Sequence, residues 1–536
     1  SAFLLSTINK NIRTLIFVSV LLLLFFLQFF YDIDYISKSM EYKGQNLIEQ
    51  EDTPYGNLVV TKTAEQLNFF ENGYWLTSTG NIQDNEEAAH YAMIQHKHPA
   101  NVLLISGSVT GIAKEILKYK PEKFDLVELN PWLIELAKKY TQNLNDPKIN
   151  CIVEDGRKFI REVSYKYDVV IIYLPEPATA QINRYYTLEF FYELKKKLNE
   201  NAVVSLSLPP TPDYVSSEEE QMNSVMYNTL KKVFKNTIII PGGKNYFISS
   251  DDGLSYEITK KIDERNIDNI YVNKYYLDEP SIIMRANNIM SSINKNSMLN
   301  QDFRPISYYN QILYWISYFK LNYWLLLGIF LIPFIIILIR LKPINLGLFT
   351  EGFTASVSEI VLLLSFQIIY GYVYHFIGII IMLFMLGLTI GSFYIYKNEK
   401  FIKIKNFITI HAVIIVYIIL LPFILILINS PELNTTVIFA AFFFLILIVA
   451  ILTGVQFAIA SKMSEKEQNK ISDKQTVISS IASSAYSADL FGSALGAVAV
   501  SGFLIPLYGI MSVCIITGIL NLISGIVIFV KRKKYI

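Results

Sequence analysis

The chain has 536 residues, enough for two or three domains, and 47 basic against 46 acidic side chains leave a net charge of +1. So even a balance gives no case for a nucleic-acid partner. Apolar residues make up 52% and charged residues only 17%, too apolar for one large soluble protein and indicative of membrane spans.

Cys151 falls on an expected core strand and Cys514 in an apolar span, so no disulfide is expected. Five scattered histidines offer no paired spacing for zinc or haem, and no metal site is expected.

Residues 15–30 are almost purely apolar and long enough to cross a bilayer. YDIDYISKSM follows, without a small-x-small cleavage site, so residues 1–31 read as a retained transmembrane anchor. Residues 32–98 form a small β-rich domain with a linking helix. GNLVVTKT alternates as a strand, QLNFF and YWLTS flank Glu71-Asn72-Gly73 as a hairpin, and 86–95 reads as a helix.

Residues 99–310 alternate strands with ten- to fifteen-residue helices, which predicts βαβ units and a mostly parallel sheet. The stretch 101–177 is its centre: NVLLISGSVTG, FDLVELNP, NCIVEDGRKF and YDVVIIYLPEP are strands ending in a glycine turn or an acid. Helices are expected over 187–198 and 217–233, strands at AVVSLSL, NTIII and NYFIS, and a largely helical collar over 254–300.

From 311 the chain reads as a seven-helix membrane domain, with spans near 323–340, 347–372, 374–396, 406–428, 436–461, 477–503 and 508–530. The aromatic run Tyr308, Tyr309, Tyr314, Trp315 and Tyr318 before it suggests a helix resting at the headgroups. Sixteen Lys and Arg residues sit in both termini and in the loops after the second, fourth and sixth of the eight spans. The opposite loops, 370–375, 429–435 and 504–508, hold none. Both termini are therefore expected in the cytoplasm and residues 32–320 outside it, in the inner (cell) membrane.

Glu351, Glu359 and Asp489 fall in or beside spans, with His375 and His411. Polar groups there face the bundle interior or water, and structural hydrogen bonding is favoured over a proton or cation path. Gly387-x-x-x-Gly391 and Gly492-x-x-x-Gly496 read as helix contact faces.

Three features recur in order on successive strands. The 106–111 turn, with Gly107 and Gly111, lets a ligand approach backbone amides. Glu128 ends the next strand, where an acid can accept both hydroxyls of a ribose. Asp155-Gly156 ends the third, where the acid can receive an adenine amino group or simply cap a helix.

Together with Asp52-Thr53-Pro54-Tyr55-Gly56, Ile82-Gln83, Glu87 and Leu174-Pro175-Glu176-Pro177, these fall in the order seen in spermidine synthases. The whole chain resembles bacterial membrane-fused spermidine synthase-like proteins, through AQINRYYTLEFF, PGGKNYF, LNQDFRPISYY and DLFGSALGA as well. The resemblance implies a Rossmann-like domain of class I methyltransferase/spermidine synthase type over 99–310, behind the β-domain and between one and seven membrane helices.

It further implies decarboxylated S-adenosylmethionine, or S-adenosylmethionine, as donor and a polyamine or other amine as acceptor. Gln83, Gly107, Gly111, Glu128, Asp155 and Gly156 would hold the donor, Glu87 and Tyr55 the acceptor, and Tyr173 and Glu176 the catalytic positions. Membrane lipid, further membrane subunits or a homodimer are the expected partners.

The departures concern the amine end. The family's GGGDGG turn carries an Asp for the donor's amine, and Val109 stands there. The family's base stands where this chain has Tyr173, and a phenol ionising near ~10 is a poor base at neutral pH. Ala92 follows the His90-Tyr91 pair, where the family has an acid. Three readings stay open: a transferase with a degenerate amine site, a non-catalytic assembly module, and a transporter with an extracytoplasmic binding domain.

Overall fold

A computed structural model describes residues 32–319 except 213, then 341–371, 374–429, 434–469 and 475–531, with isolated positions between 17 and 26 and between 325 and 339. The expected anchor and the 323–340 span lie mainly outside the described residues.

Strands β1 (Asn46–Thr53), β2 (Gly56–Thr63), β3 (Gln66–Glu71) and β4 (Tyr74–Ser78) form an antiparallel meander. Asn72 and Gly73 both adopt positive φ, 54° and 76°, as the tight hairpin turn between β3 and β4 requires. Strand β1 and the helix Ile33–Glu41 were not foreseen. NLIEQEDT lies at the sheet edge with no fully buried position, so it shows no apolar alternation.

A seven-stranded sheet follows: β5 (Asn101–Ile105), β6 (Lys123–Glu128), β7 (Ile149–Val153), β8 (Tyr167–Ile172), β9 (Leu198–Leu208), β10 (Asn236–Pro241) and β11 (Asn245–Ser250). Its order is β10-β11-β9-β8-β5-β6-β7, parallel except where β11 pairs antiparallel with β9 and β10. Every residue of β8 is buried, as a strand covered on both faces demands. Along β5, Val102 and Leu104 join the core on one face while Leu103 and Ile105 join the other. The chain runs outward from β5 through β6 to β7, then crosses back to β8 on the other side of β5. That switch point opens the crevice in which doubly wound sheets bind ligands.

The linking helix runs Ile82–Met93, starting four residues earlier than expected because its first turn is polar. The collar is helical only at Ile258–Glu264 and Glu279–Ser292. Between these, the backbone amides of Ile270, Tyr271 and Val272 all donate to the buried Glu86 carboxylate at 2.7–2.9 Å. The helix expected over 187–198 is Leu188–Lys195, and β9 takes over at Leu198.

Five described segments are long and apolar enough to cross a membrane: Pro343–Tyr370, Phe376–Lys397, Ile404–Ile428, Thr436–Met463 and Ala485–Val530. The last spans 46 residues and contains two helices meeting at Gly509, whose φ of 77° breaks the helix. Both GxxxG pairs are helix contact faces. A Cβ on Gly387 or Gly391 would strike residues 447–455, and one on Gly492 or Gly496 would strike the backbone of Phe349 or Phe353.

The α/β domain sits on one end of this bundle. Arg161 Nη1 donates to the Ile369 carbonyl at 3.0 Å, and the Ile510 amide donates to the Phe303 carbonyl at 2.8 Å. The helix Ile306–Tyr318 lies alongside, with Trp315 and Tyr318 exposed. Lys342 begins Pro343–Tyr370 and Lys397 ends Tyr374–Lys397, each a helix length from the docked end.

Candidate functional site

A cavity of about 440 Å³ opens at the carboxyl edge of β5, β6 and β8, beneath the β3–β4 hairpin. Its floor is the 106–110 turn. Ser106 and Gly107 adopt φ of 65° and 91°, and a Cβ on Gly107 would lie 3.2 Å from the Tyr173 ring, so the turn is both left-handed and crowded.

Glu128 ends β6 and is 3% exposed, yet it faces the cavity. Ser108 Oγ donates to it at 2.9 Å and the Leu129 amide at 3.0 Å. Burial and the nearby Glu71 charge outweigh the Ser108 bond and push the carboxyl up to about 7. Glu71 comes from the hairpin, accepts from Asn130 Nδ2 at 2.9 Å, and is itself pushed up by burial. Asn130 also caps the helix Pro131–Tyr140 through its bond from the Trp132 amide.

At the other end, Glu176 lines the cavity and accepts from the Tyr74 hydroxyl at 2.5 Å. The Tyr173 hydroxyl donates to Asp84 at 2.5 Å, and Tyr246 donates to the other Asp84 oxygen at 2.8 Å. Burial and the Asp84 charge both hold the Tyr173 phenol well above its ordinary range, so it stays protonated at neutral pH. Lys244 reaches the same corner, 3.4 Å from the Tyr173 hydroxyl.

The structure thus brings Tyr55, Gly107, Glu128, Gly156, Tyr173 and Glu176 to one cavity wall. Other expected site residues lie behind that wall. Gln83 donates to Glu87 at 2.8 Å, and Glu87 accepts from the Gly243 amide, so Glu87 is engaged with the 241–244 turn and Gln83 with Glu87. Gly111 caps the helix Ile112–Leu117 with Asn85 pressed against it. Asp155 caps Gly156–Glu162 through the Arg157 and Lys158 amides and pairs with buried Arg184, which lines the cavity in its place. Burial opposes that charge, but Arg184 prevails and lowers the Asp155 carboxyl. Asp84, Glu71, Tyr74 and Lys244 escaped the sequence reading, being brought in by the first turn of a helix, a hairpin and a distant turn.

In the bundle, Glu351 is 1% exposed and Glu359 half-buried, while Asp489 lies against Gly352. His411 is held by Gln456 at 2.8 Å and by Ser524 and the Asn521 carbonyl at 2.9 Å, a polar core between helices.

Residues 83–250 match the family described as the spermine/spermidine synthase domain. Among curated relatives, the polyamine aminopropyltransferase of Sulfurisphaera tokodaii is 28% identical over 216 residues, covering 39% of this chain and 69% of that protein. That of Saccharolobus solfataricus is 29% identical over 227 residues, covering 39% and 70%. Polyamine aminopropyltransferase 2 of Aquifex aeolicus is 30% identical over 221 residues, covering 38% and 43%. Among solved structures, a spermidine synthase in complex with the transition state analogue AdoDATO aligns with a TM-score of 0.41 at 23% identity, over 46% of this chain and 88% of that one. The Thermotoga maritima spermidine synthase aligns with a TM-score of 0.38 at 21% identity, over 46% and 87%.

Proposed function

The chain is spermidine synthase-like, with apolar helices of membrane length behind that domain, and on this premise we propose that the cavity binds the thioadenosine part of an S-adenosyl-type donor. Glu128 carries the reading. It is a buried carboxyl group at a strand end beside a left-handed turn, and it lines the cavity where two ribose hydroxyls could donate to it.

A donor of this class supplies a carbon made electrophilic by the adjoining sulfonium. The chain's part is to hold it and to take a proton from the attacking nucleophile. Tyr173 does not suit that second task, because its phenol stays protonated. Glu176, a carboxylate on the cavity wall, does. The resulting function is a membrane-anchored transferase, aminopropyl or methyl, with a degenerate amine end. The docking of the domain on the bundle through Arg161 and Phe303 favours a second reading, a ligand-binding module that assembles a membrane complex.

Calorimetry of the full chain in detergent with 5′-methylthioadenosine tests the first reading. Saturable binding is expected, and Glu128→Ala should weaken it at least ~10-fold, about 1.4 kcal/mol. Absence of heat and of any thermal shift would remove the nucleoside site. Unchanged affinity in the variant would move it elsewhere.

A further inference from the structure

The turn 241–244 between β10 and β11 is fastened with unusual care for a surface loop. Glu87, 2% exposed, accepts from the Gly243 amide at 2.6 Å and from Gln83 at 2.8 Å. The Gly242 amide donates to the Lys244 carbonyl at 2.8 Å, and a Cβ on Gly242 would run into the Glu87 carboxylate. A side chain at 242 would displace the Glu87 carboxylate, so a buried acid is committed to holding the turn.

The turn carries Lys244 to the cavity. Its ammonium stands 3.7 Å from Asp84, 3.4 Å from the Tyr173 hydroxyl and 4.5 Å over the Tyr173 ring. A carboxylate, a phenol oxygen and an aromatic face are the groups that recognise a primary ammonium. Tyr173 and Lys244 line the cavity together with Glu176, and Asp84, from the first turn of Ile82–Met93, stands behind the Tyr173 hydroxyl. Val109, on the same cavity wall, adds no negative charge.

We propose that Lys244 is a resident cation filling the amine subsite, so that the cavity rejects diamines and polyamines and admits a nucleophile without positive charge. This rests on the nucleoside reading for what the rest of the cavity holds. It rests on the Asp84–Tyr173–Lys244 geometry alone for the exclusion of amines. Glu87 and Gln83 then act as positioning residues for Lys244, and not as contacts to an acceptor and a donor respectively.

The test uses the full chain in detergent, with 1,4-diaminobutane and 5′-methylthioadenosine titrated separately. The unmodified protein and Lys244→Arg should give no diamine binding in the millimolar range. Lys244→Met should gain diamine affinity by at least ~10-fold, and Asp84→Asn added to it should abolish the gain. Lys244→Gln serves if the Met variant unfolds at lower temperature. Diamine binding to the unmodified protein in the micromolar range, or no gain in either folded variant, would overturn the proposal. Failure of the nucleoside titration in every protein would count against the nucleoside site alone, because the diamine titration does not depend on it.

Discussion

At the scale of single residues, the site turns on where protons sit. Glu128 is protonated over part of the neutral range because burial pushes it up to about 7. A carboxyl raised in the folded state stabilises fully below its unfolded value of about 4.3, and that contribution is lost as pH rises through about 7. Ribose hydroxyls favour the ionised form, so nucleoside binding should release a proton. Affinity for 5′-methylthioadenosine should therefore rise from about pH 5 to about pH 8 and flatten in Glu128→Gln. Calorimetry in buffers of different ionisation enthalpy checks this, and a flat profile in the unmodified protein would refute it. Glu128 and the glycine turn were legible because each ends a strand of a strongly patterned βαβ unit. Lys244 and Asp84 were not, because their meeting depends on β11 lying two strands from β8, which brings a distant turn to the first turn of the helix Ile82–Met93. Glu87, with Gln83 bonded to it, could be seen to hold the 241–244 turn only once that turn was in place.

Between elements, the strongest internal tie is ionic. Arg157 is 1% exposed, forms two 2.8 Å bonds to Asp302, and also binds Glu193, which Arg161 shares. Burial works against the Glu193 charge, but the two arginines win and hold its carboxyl down to about 2. That contribution is present above the ordinary carboxylate range and is lost only as pH falls through about 2. The cluster ties Gly156–Glu162 and Leu188–Lys195 to the 299–304 segment, and Arg161 passes the tie on to the Ile369 carbonyl of the bundle. Removing one partner strands a buried charge. Asp302→Ala should cost about 3–5 kcal/mol in thermal or denaturant unfolding of the α/β domain, whereas an exposed pair such as Lys260–Glu257 should give less than about 1 kcal/mol. Equal effects of the two would show that Arg157 finds other partners. The strands and helices joined by this cluster were legible, since period-two and period-3.6 patterns are strong where one face is buried. The edge strand β1 and the irregular 265–278 stretch lacked such a face, one being exposed and the other shaped by a single buried glutamate.

For the whole molecule, the decisive relation is between the docked domain and the charged loops. The domain rests where Ile369, Gly371 and Ile510 lie, at the end whose loops carry no Lys or Arg, while Lys342, Lys397, Lys400 and Lys403 lie about 36–42 Å away, the length of a 24- to 28-residue helix. On the expectation that basic loops stay in the cytoplasm, the domain would lie on the outer side, which a labelling experiment tests. Two cysteines introduced singly into a Cys151→Ser, Cys514→Ser background would read the orientation. Tyr275→Cys, at a position 90% exposed on the α/β domain, should react with a membrane-impermeant maleimide in intact cells, and Lys400→Cys only after permeabilisation. The reverse pattern would put the domain in the cytoplasm, beside the cell's S-adenosyl metabolites, and would strengthen the transferase reading over the assembly reading. The expected pattern has the opposite weight. A nucleoside pocket facing outward, with its amine corner filled by Lys244, would be supplied only by ligands present outside the cell or delivered through the bundle, which makes binding and coupling to the helices a more direct use of the fold than turnover.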